Sequence, residues 1–210
     1  MGYGNANTRS LIGLTLFLLL LIPSVAGAAA FPKVSIGSCG VAEDVVDVVY
    51  VTRADKRQQL TENFELRESD TITTGPAGGV KLRLIDNTEV ILGADSTAHI
   101  VELVFREDKA RLQVHVDQGS ARIKTGAIGL KNPKGVRIMT PKNLIMPSNC
   151  ILSLIERYEE EILQVEWMPK GPTISLYNPR SEKVVEIDEQ GTVLVTNREG
   201  EIFAGSREER

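Results

Sequence analysis

The residues with most chemistry available to them in this 210-residue chain are two histidines, two cysteines and a scatter of acidic groups. His99 and His115 could hold a metal or move a proton. Each is flanked by apolar residues in alternation, and neither has a histidine or cysteine at ligand spacing along the chain. Both therefore read as plain strand histidines, and no metal ligand is assigned. The acidic groups Asp44, Asp47, Asp86, Glu89, Asp95 and Glu159 to Glu161 lack the D-x-D-x-D-G order of a calcium loop. Ser96 closes Gly93-Ala94-Asp95-Ser96, which is not the G-x-S-x-G setting of a nucleophile elbow. Gly75-Pro76-Ala77-Gly78-Gly79 lacks the lysine and following helix of a phosphate cradle. No catalytic residue and no cofactor follow from these patterns. An enzyme would need an unrecognised carboxylate pair, such as Asp86 and Asp95.

The N-terminus bears on the compartment. Arg9 precedes a leucine-dominated apolar run from Leu11 to Ile22, broken by Pro23, and then come the small residues Val25 to Ala30. That is the order of a secretory signal, with cleavage expected after Ala28 or Ala30. The alternative is an uncleaved anchor, but the run is well short of the ~20 residues that span a bilayer. The mature chain is expected to be periplasmic or secreted. Ile36-Gly37-Ser38-Cys39 loosely matches a lipoprotein signal, yet Lys33 and the alanines separate it from the apolar run, so acylation of Cys39 is disfavoured. In an oxidising compartment two thiols most often pair. A Cys39–Cys150 disulfide is the candidate, worth up to ~4.7 kcal/mol in the chain-entropy account of long loops. Two buried free thiols are the alternative.

A net charge of −4 offers no general attraction to nucleic acid or anionic lipid. Aromatic residues make up only 5%, which argues against a stacking surface for bases or sugars. Membrane contact is expected only through the export signal.

From residue 41 the dominant period is two. Val46, Val48 and Tyr50, then Val80, Leu82 and Leu84, then Leu112, Val114 and Val116 alternate with other residues, as in strands with one buried face. Turn residues separate them: Gly75 to Gly79, Asp86-Asn87, Gly93 to Asp95, and Asp117-Gln118-Gly119. Asp86-Asn87 fits a two-residue hairpin between 81–85 and 88–92. The stretch 152–167 reads either as a helix lined by Leu152, Ile155, Tyr158 and Ile162 or as a hairpin turning at Glu159-Glu160. The hairpin is preferred because Val165 and Trp167 continue a strand pattern. Further strands are expected at 174–177, 184–187 and 193–196. Trp167 is expected as a buried anchor, with an exposed binding aromatic as the alternative.

The order of these turns, Ser69-Asp70-Thr71-Ile72-Thr73, Asp86-Asn87, Gly93-Ala94-Asp95-Ser96, Gln118-Gly119-Ser120 and Thr140-Pro141, resembles the FecR domain family over roughly residues 64–153. The resemblance implies that Asp70, Thr73, Asp86, Asn87, Gly93, Ser96, Gly119, Thr140 and Pro141 are structural turn positions. It departs where the family has a "GT-x-F" element and this chain has Asn149-Cys150-Ile151-Leu152. It implies an all-β, non-enzymatic envelope protein. Only ten residues precede Leu11, too few for the sigma-factor-binding segment of the family's regulators, so a stand-alone domain is expected.

The expected fold is therefore all-β, a short-strand sandwich or small β-solenoid of the FecR-domain type with extra C-terminal strands. Its parts are a signal peptide over 1–30, a FecR-like domain with leading strand over 31–153, a C-terminal β extension over 154–205 and a disordered tail over 206–210. The expected role is a scaffold for an envelope protein partner, acting through an edge strand or a loop face. The alternative is a peptidoglycan or glycan-binding module, and nucleic acid is not expected.

Overall fold

The computed structural model describes residues 37–106 and 109–205. The expected signal peptide and the C-terminal tail lie outside the described residues. Among those described, no helix is long and apolar enough to cross a membrane.

Among the described residues seventeen strands alternate between two sheets, here the front and the back sheet. The chain enters the front sheet as β1 (Gly40–Val46), turns at Asp47 with φ +54°, and continues in the back sheet as β2 (Val49–Arg53) and β3 (Lys56–Gln59). The short β4 (Glu65–Leu66) pairs with β1, and β5 (Thr71–Thr74) with β2. A front hairpin of β6 (Gly79–Leu84) and β7 (Glu89–Leu92) follows, then β8 (Thr97–Val104) in the back sheet.

The fourteen-residue β9 (Arg111–Lys124) belongs to both sheets. Its first part pairs with β8 on the back sheet, and its second pairs with β7 on the front. A five-residue helix, α1 (Ala127–Lys131), and a single 3₁₀ turn, Pro133–Gly135, carry the chain back to β10 (Val136–Met139). This β10 runs parallel to β9. A parallel neighbour needs such a crossover, whereas the antiparallel pairs make do with tight turns.

Hairpins then alternate between sheets. β10 and β11 (Leu144–Met146) lie in the back sheet, and β12 (Ile151–Glu156) with β13 (Glu160–Trp167) in the front. β14 (Ile174–Asn178) with β15 (Lys183–Ile187) returns to the back, and β16 (Val193–Asn197) with β17 (Ile202–Ala204) to the front. β12 extends the front sheet from β9, and β14 extends the back sheet from β11. The strands after residue 153 thus continue the sheets of the FecR-like part.

Alternation puts one face of each sheet inside. Val80, Leu82 and Leu84 of β6, Leu112, Val114 and Val116 of β9, and Leu152 and Leu154 of β12 are buried in one continuous core. At ~25 cal/mol per Å² this apolar burial is the main force joining the sheets. The hairpin over 152–167 and the strands near 174, 184 and 193 stand where their patterns placed them.

Several expectations change in detail. The run Val46–Tyr50 is not one strand: Asp47 makes a corner, so Val49 and Val51 are fully buried whereas Val46 and Val48 are exposed. Gln118-Gly119 is a bend inside β9 and not the end of a strand. Asp86-Asn87 sits in a four-residue connection, with the Asn87 N–H donating to Leu84 O and the Leu84 N–H to Thr88 O. Trp167 is not the expected buried anchor: it pairs with Ile151 beyond a register shift and is 41% exposed.

The expected disulfide is corrected. Cys39 and Cys150 are both free thiols, each buried as a small apolar residue in the core. Cys39 is tied by its backbone to Leu66 and Ile85, and the Cys150 N–H donates to Thr125 Oγ1. Burial pushes both thiols up to about 12, with the nearby charges of Asp70 and Glu68 adding to the effect at Cys39. A thiol so buried is inert because the thiolate is the reactive form. Thiol titration without reductant is expected to find almost no reaction in the native chain and two thiols in denaturant. Zero thiols in denaturant would restore the bridge.

Candidate interaction surfaces

The turn residues gather into three structural clusters. At the first, the buried Asp70 carboxylate accepts two bonds from the Arg53 guanidinium, each 2.6 Å, and one from the Arg67 N–H at 2.8 Å. Arg53 also donates to Glu65 O at 2.8 Å. A bidentate, charge-assisted pair of this kind fixes geometry as well as energy.

The second cluster joins the corners. Thr74 Oγ1 donates to Gly93 O at 2.6 Å and accepts from the Ser96 N–H at 2.8 Å. Ser96 Oγ accepts from the Ser120 N–H at 2.9 Å. Thr73, the expected position, faces outward on β5 and is half-buried, and Thr74 does the work at this corner. In the third cluster Asp86 accepts from the Thr88 N–H and hydroxyl, and more weakly from the Ile128 N–H at 3.3 Å, which seats α1. Asp86 and Asp95 stand at opposite ends of β7, so they form no carboxylate pair.

A fourth cluster, containing Thr140, was not visible as such in the sequence. The turns after β10, β12, β14 and β16 converge at one end of the sandwich around a cleft of about 380 Å³. Arg157, Tyr158, Arg180 and Arg198 line it together with Pro141 and Asp117. The Arg198 guanidinium lies over the Tyr158 ring, 4.6 Å from its centre.

Beneath the rim, Asn143 donates to Glu161 Oε1 and to Thr196 Oγ1, both at 2.9 Å, and Asn178 donates to Asn143 Oδ1 at 3.1 Å. Thr140 Oγ1 donates to the other Glu161 oxygen, and Lys142 Nζ pairs with Glu156 Oε1 and donates to Arg157 O. Glu156 and Glu161 face each other across the β12–β13 hairpin, and both are buried. Among the described residues no N–H or O–H donor reaches Glu156 Oε2 while both carboxyls are ionised. A proton on Glu161, shared toward Glu156, supplies one.

Burial raises Glu161 to about 7, with hydrogen bonds from Thr140 and Asn143 opposing and the Glu156 charge adding. Glu156 is raised as well, by burial, against the pull of Lys142. Two carboxylates in one dry site do not both ionise cheaply.

On the outer face of the back sheet, register brings the two histidines together. His99 lies directly across from His115, with ring centres 4.8 Å apart. His99 Nδ1 is 3.2 Å from Asp117 Oδ2, and His115 Nε2 is 2.9 Å from Met139 Sδ. Separation along the chain concealed this pairing.

The sheet edges differ. On one side, β3 is Lys56-Arg57-Gln58-Gln59, every residue of it exposed, and β4 has only two residues. On the other, β15 and β17 present Val184 at 59% exposure and Phe203 at 50%, and no described strand pairs with their outer edges.

Residues 70–148 match the family model described as FecR protein. The resemblance carried by the turn residues is thereby borne out over this segment. The chain is also similar to a Parabacteroides distasonis ATCC 8503 protein, described as a candidate anti-sigma factor, in two crystal structures. One superposes with a TM-score of 0.51 at 16% identity, covering 64% of this chain and 58% of that one. The other gives a TM-score of 0.49 at 16% identity with the same coverage of 64% and 58%. The first likeness shows a shared all-β fold, and this chain spans a little over half of that protein's length. No curated protein matches the sequence.

The carboxyl pair gives a pH dependence of defined sign. A carboxyl whose folded pKa is raised stabilises the fold below its unfolded value, and that stability is lost as pH rises through the folded value. Stability is expected to fall between about pH 4.5 and 8, by on the order of 3 kcal/mol. Glu161→Gln places a neutral amide where the protonated carboxyl sits and is expected to flatten the profile. Urea unfolding across that range checks this, and an unchanged slope in the variant contradicts the assignment.

Proposed function

We propose that this chain is an exported, non-enzymatic β scaffold that binds a protein partner by adding extended segments of that partner to the edges β15, of the back sheet, and β17, of the front sheet. The observation that carries the reading is the asymmetry of the edges. A run of Lys, Arg and Gln guards β3, and β4 has only two residues, ordinary defences against unwanted pairing. The opposite edges add exposed apolar side chains, Val184 beside Lys183 and Glu186 on β15 and Phe203 on β17.

An added strand gains main-chain hydrogen bonds, and alternate side chains supply specificity. Arg180 and Arg198 stand in the turns beside these edges and favour a segment with acidic residues. The front face is less suited to docking, because Glu43, Lys81, Arg83 and Glu89 already satisfy one another in ion pairs. The FecR match and the fold shared with a candidate anti-sigma factor support a protein-binding, regulatory role over covalent chemistry. The non-enzymatic reading rests on Asp70, Asp86 and Glu161, whose carboxyls are consumed in structural hydrogen bonds. The leader pattern over 1–30 supports export, with the partner in the cell envelope. Burial of Cys39 speaks against its acylation.

Photo-crosslinking residues installed in living cells at 184, 203 and 57 test this. A discrete protein adduct is expected from positions 184 and 203, absent from 57 and weakened by Val184→Lys, which places a guarding charge on an already exposed site. No adduct, together with co-sedimentation of the chain with murein sacculi, would overturn the reading in favour of a glycan-binding module.

A further inference from the structure

We propose that His99, His115 and Asp117 form a binding site for one transition-metal ion of the zinc and copper(II) class on the outer face of the back sheet. The site follows from register. Thr71, His99, His115 and Met139 occupy one cross-strand row of β5, β8, β9 and β10, and Asp117 lies two residues beyond His115 on the same face. One ligand atom from each of His99, His115 and Asp117 lies within 4.8 Å of the others.

Ligands held at about 2.0–2.2 Å from a tetrahedral ion stand about 3.3 Å apart. His99 Nδ1 and Asp117 Oδ2 already have that spacing, at 3.2 Å. A modest turn of the His115 ring brings in the third donor.

Two imidazoles and one carboxylate suit zinc and copper(II), and are a poor set for magnesium or calcium, which prefer oxygen. The Met139 sulfur beside His115 adds a soft neighbour. The His99 and Asp117 side chains are 28% and 45% exposed, so an ion can enter and keep water in an open position. Both β8 and β9 have a strand paired on each side, so the backbone that holds the ligands is rigid.

The test uses the full chain, free of any polyhistidine tag and stripped with chelator. Isothermal titration near neutral pH is run with Zn²⁺, Cu²⁺ and, as a control, Mg²⁺. The expected result is one Zn²⁺ or Cu²⁺ per chain, no Mg²⁺, and a loss of at least about 10-fold in affinity for each of His99→Gln, His115→Gln and Asp117→Asn. Circular dichroism should show the variants folded, since all three side chains are at least partly exposed. Nitrogen hyperfine coupling in the copper resonance spectrum would identify the imidazoles. Binding of one ion and not the other names the metal. Affinity weaker than about 100 μM for both ions, or affinity unchanged by either histidine substitution, overturns the proposal.

Discussion

The passage of a single strand from one sheet to the other is the constraint on which the structure depends. β9 must bend without breaking, and it does so at Gly119, where φ is +86°. A β-carbon there would come within 2.3 Å of Ser96 Oγ and 2.5 Å of Ser96 Cα, so the position excludes every other residue. Ser96 in turn holds Ser120, and Thr74 holds Ser96 and Gly93, locking the neighbouring corners against the bend. Both sheets grow outward from β9, through β7 and β12 in front and through β8 and β10 behind. The hydrophobic core then closes between faces whose spacing these corners set.

The C-terminal half is organised differently. Its hairpins are tied by a buried polar network through Asn143, Asn178, Thr196 and Glu161. Such a network stabilises one arrangement only when every member is satisfied. Here satisfaction needs one proton between Glu156 and Glu161, which makes this end of the sandwich responsive to pH. The same hairpins present the exposed edges, so the network positions the surface proposed to meet a partner.

How much of this was legible follows from which interactions are local. Val80, Leu82 and Leu84, and Leu112, Val114 and Val116, declared their buried faces because a strand's period is local. The turn residues declared the family by their types and order along the chain, although Asp70, Thr74 and Ser96 bond to partners in other turns and strands. Asp47 did not announce its corner, since an aspartate takes either a strand or a left-handed conformation, and only the packing decides. α1 has five residues, too few for a helical period, and exists because Asp86 and Thr88 hold its start from elsewhere in the chain. His99 with His115, and Glu156 with Glu161, are pairings set by register. The second could have been read from the hairpin at 152–167 only with its turn centred on Tyr158-Glu159, one residue earlier than expected, which places those residues opposite each other. The first could not, because the register between β8 and β9 shifts between Ile100 and Glu102. The cysteines misled because compartment chemistry favours a pair, whereas the core used each as a small apolar side chain.

Native-state hydrogen exchange resolved by residue tests the central claim most directly. If β9 is the common spine, the amides of Leu112, Val114 and Val116 and those of Ala121 and Ile123 should exchange only through global unfolding, with the same free energy. The outward-facing amides of β15 and β17 should exchange far faster through local opening. Different free energies for the two parts of β9 would mean that the sheets unfold independently, and protected outer edges on β15 and β17 would mean that they are already paired. Either result would contradict the account.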